Sequence, residues 1–432
     1  MEKSFFQKYK IWIFIGIFFF IFVFGSSFWG KFKKTVTLQV WGSELTQDQF
    51  DILAKNVKST YKNPVKLIYT EFESEDYEEK LLESFIHAKS PDIFLMNNEQ
   101  IGKFRKLISP YDLENANYNI NNLRKDYPTI IEQEAVLDNM AYLLPVSIDS
   151  LVLYYNRNVF DSLSVSNPPS TWSDILKLIP NLRQLDAYNR IMRSPIGLGT
   201  GNSINNSADL LALIIMQLNG KIINTSEQRV AITEGARVGD DYINASEEAL
   251  KFYCQFAKSN NQYYSWNDSF NNDLEAFASN KLTMYFGYLS DKEKIIQKNS
   301  DLNFGISEMV QRDKDNIVNF GKFFGFTVSS QTKNANTAWE VIRLLLDPAN
   351  MKNLIKNDKI PPANRELIGE YYNNPDLAVF AKQALNSKSY YHPTEKVKDA
   401  FIQAIEEVNK TQDYKDAISK LGQDLTNLMY NN

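Results

Sequence analysis

The sequence predicts an α/β protein of two lobes carried behind an N-terminal apolar segment, and three observations predict it. The chain has 432 residues, too many for one small core and suited to two lobes of ordinary size. From Thr35 onward, strand-like and helix-like hydrophobic periods alternate. Ahead of them, residues 11–29 (IWIFIGIFFFIFVFGSSFW) carry no charge.

That apolar run extends roughly 28 Å as a helix, against a hydrocarbon core of about 30 Å. Lys3, Lys8 and Lys10 precede it and Lys31, Lys33 and Lys34 follow, so flanking charge does not orient it. A large folded domain after a first apolar segment is expected to be exported. Residues 1–34 are therefore expected to form a short cytoplasmic tip and a single-pass transmembrane signal anchor, with Phe28 and Trp29 at the interface. The competing reading is a leader cleaved after Ser27, with Gly25 and Ser27 as the small residues before the cut. A lipid anchor is not expected, because the only cysteine, Cys254, lies far from the segment. Cys254 falls with Ala249, Leu250, Tyr253, Phe256 and Ala257 on one helical face and is expected to be a buried thiol.

Composition excludes several classes. With 44% hydrophobic and 23% charged residues the chain should fold, and its net charge of −5 argues against a nucleic-acid partner. His87 and His392 are far apart, with no Cys or carboxylate at metal-ligand spacing. The acidic run Glu71–Glu79 lacks calcium-loop spacing and reads as a helix start with a solvated face. No metal and no cofactor are expected.

The elements follow in order. Thr35–Trp41 alternates at period two; Phe50, Leu53, Ala54, Val57 and Tyr61 keep helical spacing behind a Thr46 cap. Val65–Tyr69 reads as a strand, Tyr77, Leu81, Phe85 and Ala88 as a helix, and Asp92–Met96 as a third strand. This β-α-β-α-β opening indicates a doubly wound lobe, in which ligands sit beyond the carboxyl ends of the strands. The residues so placed are Trp41, Gly42, Ser43 and Glu44, then Glu71, then Asn97, Asn98 and Glu99. Ala141–Asn156 holds a further strand and apolar run. Thr171 and Asp174 form a capping box for the next helix, and Thr337 with Glu340 a second one, for a helix ending near Asp347-Pro348. From Pro375 to Met429 the chain reads as mostly helical.

Four stretches in order resemble the maltose-binding-protein-like family of ABC-transporter solute-binding proteins. They are Pro91-Asp92-Ile93-Phe94 with Leu107–Leu113, Leu144–Asn156 followed by Pro168-Pro169-Ser170-Thr171-Trp172, Ala276–Met284, and Ala338–Leu345. The second, similar to the family's P-x-x-x-D/E-x-x-x-L-x-YN … PPxTW, is the most specific. Asn280 and Ser109 replace the family's usual glycines, and the lipobox cysteine is absent. The resemblance implies a two-lobed periplasmic-binding-protein-like (type II) fold. Lobe 1 would comprise residues 35–148 with 307–356, and lobe 2 residues 149–306 with 357–432. The lobes would be joined at crossings near Pro145–Asp149, Asn303–Ile306 and Asn357–Pro362. It also implies a monomeric extracytoplasmic binding protein, not an enzyme, that hands a small solute, foremost a sugar, to ABC permease subunits. A membrane-anchored sensor or receptor of the same fold is the alternative. A glycoside-active enzyme is disfavoured, since no second carboxylate pairs convincingly with Asp149.

A sugar offers hydroxyls at its rim and C–H groups on its faces, which call for carboxylates or amides and for flat aromatics. The candidate ligand-binding residues are Trp41, Glu44, Asn98, Asp149, Asn202, Trp266, Tyr288 and Phe323. Asp149 holds the acidic position of the P-x-x-x-D/E motif. Asn202 ends a Gly-Thr-Gly-Asn loop, and Lys322 is the lone cation beside the candidate positions.

Overall fold

A computed structural model describes residues 35–430 apart from 56, 58–63, 189, 225–226, 268, 359, 376 and 391–393. The expected anchor, residues 11–29, lies outside the described residues. Among those described, no helix is long and apolar enough to cross a membrane.

The opening is built as its periodicity predicts: β1 (Val36–Gly42), α1 (Gln47–Ala54), β2 (Val65–Glu71), α2 (Ser74–Ile86) and β3 (Ile93–Asn97). Thr46 and Gln49 exchange the reciprocal bonds of a capping box at the head of α1. After β4 (Leu144–Ser150) the chain enters a second unit with β5 (Val152–Asn156), α3 (Trp172–Leu182), β6 (Ile191–Ile196), α4 (Ser207–Gln217), α5 (Ala245–Cys254), β7 (Leu282–Gly287), α6 (Leu289–Lys298) and β8 (Phe304–Ser307). It returns along β9 (Asn319–Val328) to α7 (Ala335–Leu345). It leaves again past β10 (Ser387–Lys388) for α8 (Glu395–Thr411) and α9 (Tyr414–Tyr430). The Thr171 and Asp174 box caps α3. α7 instead begins two residues before Thr337, at Ala335, so Thr337 lies inside the first turn.

The first sheet has the order β10-β9-β3-β1-β2, with β4 also paired to β9. β1 runs parallel to β2 and β3, while β9 is antiparallel to β3 and β4. The second sheet runs β8-β5-β7-β6, with the short strand Gln184–Leu185 at its edge. Each sheet carries its own core. Leu38, Val40, Phe94, Ile148 and Phe326 belong to one, and Leu153, Tyr154, Leu211, Phe286 and Phe401 to the other.

Among the described residues the chain crosses between the cores at three places, with Phe380 reaching from a first-core stretch into the second core. The first change lies between Ile148 and Leu151, the second within β9 between Phe320 and Phe323, and the third between Ala384 and Tyr390. The first falls where the stretch Pro145–Asp149 ends. The other two come later than Asn303–Ile306 and Asn357–Pro362, so Leu367, Ile368, Leu377 and Ala381 join the first core rather than the second. The cause is β10, two residues long, which pairs with Asn319 and Phe320 and holds the C-terminal chain on the first sheet until Tyr390.

The crossings are laced together. Ser150 Oγ and Ser387 Oγ lie 2.7 Å apart, and the Gln383 amide donates to Leu151 O at 2.9 Å. At Gly321 an added Cβ would come 2.7 Å from the Ser387 Cβ, a contact no side chain tolerates, so the approach requires glycine.

Candidate functional site

Where the crossings pass between the lobes, a cluster of charged side chains gathers. Asp149 and Lys322 are cross-strand partners on β4 and β9. The Lys322 Nζ lies 2.9 Å from Asp209 Oδ2, 3.5 Å from Glu99 Oε1 and 4.3 Å from the centre of the Tyr288 ring. Burial works against its charge, but Asp209 and Glu99 outweigh that and hold the ammonium above its ordinary range. Glu99 follows β3 in the first lobe and also meets Lys398 of α8, in the second lobe, at 2.5 Å. A carboxylate of one lobe is thereby shared by lysines from the crossing strand and from the other lobe.

Asp209 lies in the first turn of α4, where the helix N-terminus favours a negative charge. It is 2% exposed and accepts from the Tyr288 hydroxyl at 2.8 Å. Burial would raise its pKa, yet Lys322 and Lys398 hold it below the usual carboxylate range. Its second oxygen is buried without a hydrogen-bond partner among the described residues. Asp149 accepts from the Leu289 N–H, the first of α6, at 3.0 and 3.2 Å. Burial, with the charge of Asp291, pushes its pKa up to about 7, against the pull of the Leu289 and Ser150 N–H groups and of Lys322. Part of the residue is accessible, but the carboxyl group itself faces the interior, and that decides the shift.

Glu44, in the loop after β1, keeps accessible surface. The protein around its carboxyl nonetheless raises its pKa, by desolvation first and then by Glu99. Asn98 is fully buried; its Oδ1 accepts from the Phe323 N–H at 3.1 Å, and its Nδ2 lacks a partner among the described residues. Trp41 is half-buried, its ring 4.8 Å from that of Phe72.

Asp149 and Tyr288 thus take part in the cluster directly, with Glu44 and Asn98 tied to it through Glu99 and β9. Trp266, Phe323 and Asn202 stand elsewhere. Trp266 is 0% exposed, stacked on Phe270 at 4.5 Å and bonded through Nε1 to Ser203 Oγ at 2.9 Å, so it is core of the second lobe. Phe323 is 2% exposed in the first core. The N–H groups of Gly201 and Asn202 donate to Glu406 of α8 at 2.7 and 3.2 Å, so an internal carboxylate takes the loop's donors.

The sequence places Glu99 beyond the end of β3 but not among the candidate ligand-binding residues, and it does not single out Asp209 or Lys398. Asp209 had a signal: it is the single charge in the otherwise apolar α4. Glu99 stood beside the chosen Asn98, and Lys398 had nothing to mark it. Cys254 is buried, with its thiol pushed up to about 12 by burial. Among the described residues no group of three His, Cys, Asp or Glu side chains is arranged to hold a metal ion.

Comparison with known proteins gives a consistent picture. The family described as bacterial extracellular solute-binding protein matches residues 53–379. A putative binding protein of Brucella abortus (strain 2308), BAB2_0491, is 22% identical over 295 residues, 66% of this chain and 67% of its own length. Among solved structures, the cyclic α-maltosyl-1,6-maltose binding protein of Arthrobacter globiformis superposes with a TM-score of 0.75 at 16% identity, covering 92% of this chain and 100% of that one. The sugar-binding protein MalE of Xanthomonas citri gives 0.70 at 15% identity, covering 92% and 98%. At such identities the structural likeness speaks for the fold.

Proposed function

The chain belongs to the bacterial extracellular solute-binding proteins, and on that premise we propose that it captures a carbohydrate between its two lobes and delivers it to an ABC permease. Solute binding, rather than catalysis, is the activity of the family. The observation that carries the carbohydrate reading is the cluster itself: Glu44, Glu99, Asp149 and Asp209 with Lys322, Lys398 and Tyr288 at the meeting of the lobes. Both lysines already face carboxylates, so an anionic solute finds no free cation there. A neutral solute rich in hydroxyls finds acceptors, and in Asp149 a carboxyl group able to hold its proton and donate. The sugar-binding proteins that share the fold support the same class.

Closure would bring the walls of both lobes onto the solute by rotation at the three crossings. Only a solute that binds the closed arrangement more tightly drives that change. Residues 11–29 would hold the domain at the outer face of the membrane as a single-pass anchor, which raises the effective concentration at the permease. The protein would act as a monomer.

Calorimetry of the full-length protein against a panel of maltodextrins tests the reading. Asp149→Ala removes a carboxyl hydrogen-bonding partner, and Trp41→Ala a ring face. Each should weaken binding by about tenfold or more while the protein stays folded. Unchanged affinity in both variants sinks the site assignment. Mass analysis of membrane-extracted protein decides the anchor: an N-terminus at Phe28 excludes it.

A further inference from the structure

A cavity of about 370 Å³ lies between the lobes, and Tyr390 in its lining is near enough to Asp209 and Glu99 to feel their charge. Gln133 and Glu134 of the first lobe line it, with Met216 and Asn219 of the second and Ser389 and Tyr390 of the third crossing. Two features make it a built space. Tyr390 is 3% exposed, packed between Phe320 and Phe401 with ring centres 5.6 and 5.1 Å away. Its hydroxyl and the Ser389 Oγ are both buried with no hydrogen-bond partner among the described residues. Buried hydroxyls are seldom left unsatisfied, so the lining is short of a polar occupant. The volume far exceeds the ~30 Å³ share of one water molecule.

Charge narrows the class of occupant. Among the described residues no buried cation lines the space to receive an anion, and the exposed Lys221 and Lys388 at the margin disfavour a cation. Hydroxyls and amides remain for recognition, which suits a small polyol.

The position couples the cavity to the lobes. α4 carries Asp209 in the charged cluster and Met216 at the cavity, about 10 Å further along the helix axis. At the end of α4, Gln217 grips the chain just ahead of β9, donating to Val310 O and Val318 O at 3.0 and 3.1 Å. Walls drawn from both lobes change their spacing whenever the lobes turn. We propose that this cavity is a second binding site, for a neutral polyol of hexitol size or smaller, whose occupation is coupled to the setting of the lobes.

Titration of the full-length protein with D-sorbitol, followed by ligand-observed NMR and small-angle scattering, tests it. Saturable binding is expected in the unaltered protein and in Asp149→Asn, which alters only the charged cluster. Ser389→Ala should weaken it by about fivefold, the loss of one hydrogen bond, and Ser389→Phe, which fills the space, should abolish it. Circular dichroism establishes that both variants fold. The scattering radius should shift at saturation. Three results overturn the proposal: no saturable binding, indicating a cavity that holds water only; binding undiminished in both Ser389 variants; or binding lost in Asp149→Asn. Saturation without a change in radius overturns the coupling.

Discussion

The Lys322 ammonium stands 2.9 Å from the Asp209 carboxylate, joining a strand caught between the two cores to the first turn of a helix in the second lobe. Phe320, two residues before Lys322, packs in the second core, and Phe323, one residue after, packs in the first. The pair therefore fixes the strand at the point where it changes lobes. Taking two charges from water is costly, and mutual attraction offsets that only with further partners. The Tyr288 hydroxyl on Asp209 and Glu99 near Lys322 supply them.

Lys322→Met should consequently destabilise the protein by about 3 kcal/mol, because it strands a buried carboxylate rather than merely deleting an attraction. Adding Asp209→Asn to that variant should restore part of the loss. Urea denaturation of the single and double variants gives both values. A single variant with an unchanged midpoint would show that Asp209 has no need of the ammonium.

Stability should fall between about pH 4 and 7, and two carboxyl groups account for it. Asp149 and Asp273 each have a pKa raised by burial to about 7, against about 3.9 for an unfolded chain. Across that window the folded state binds protons that the unfolded state does not. Their contribution is fully present below about pH 4 and is lost as pH rises through 7. Asp209, held below the ordinary range, acts in the opposite sense, but only at more acid pH. Replacing Asp149 and Asp273 together by Asn should flatten the profile from pH 4 to 7.5. An identical slope in the variant means that both groups are already ionised in the folded protein.

What the sequence makes legible follows from the range of the physics. Periodicity and capping are local, so β1, β2 and β3 and the boxes at Thr46 and Thr171 can be read directly. The later crossings are not local. They depend on the pairing of Ser387 and Lys388 with Asn319 and Phe320, a contact between distant segments carried by a two-residue strand. Aromatic residues are ambiguous for a different reason. A ring suited to a sugar face is equally suited to a core, and Trp266 and Phe323 took the second course. Asp149 was readable because motif and position coincide. Lys398 was not, since only the fold carries α8 to Glu99.

Gln217 should prove a structural hinge-pin out of proportion to its size. Its Oε1 accepts from the Trp172 indole at 2.7 Å, while its Nε2 serves Val310 O and Val318 O. Gln217→Leu keeps the approximate volume but leaves an indole N–H and two carbonyls buried without partners. A loss of about 3 kcal/mol is expected. Guanidinium denaturation followed by tryptophan fluorescence measures it. A loss below about 1 kcal/mol would imply that water replaces the amide.

Trp266 and Trp41 should separate stability from binding. Trp266 is wholly enclosed, stacked on Phe270 and bonded to Ser203. Trp266→Ala leaves a large cavity, at a cost of about 3–5 kcal/mol, while Ser203 keeps its hydroxyl contact with Thr200 at 2.6 Å. The charged cluster touches none of those groups, so maltodextrin affinity measured well below the melting temperature should stay within about twofold of the unaltered protein. Trp41 is half-buried at the end of β1, beside the loop of Glu44. Part of its ring already meets water, so Trp41→Ala should cost less stability than Trp266→Ala while lowering affinity. Denaturation and calorimetry on the two variants place each on both scales. The reverse pattern, with affinity lost at Trp266 and kept at Trp41, would move the binding surface off the strand ends of the first lobe and into the second.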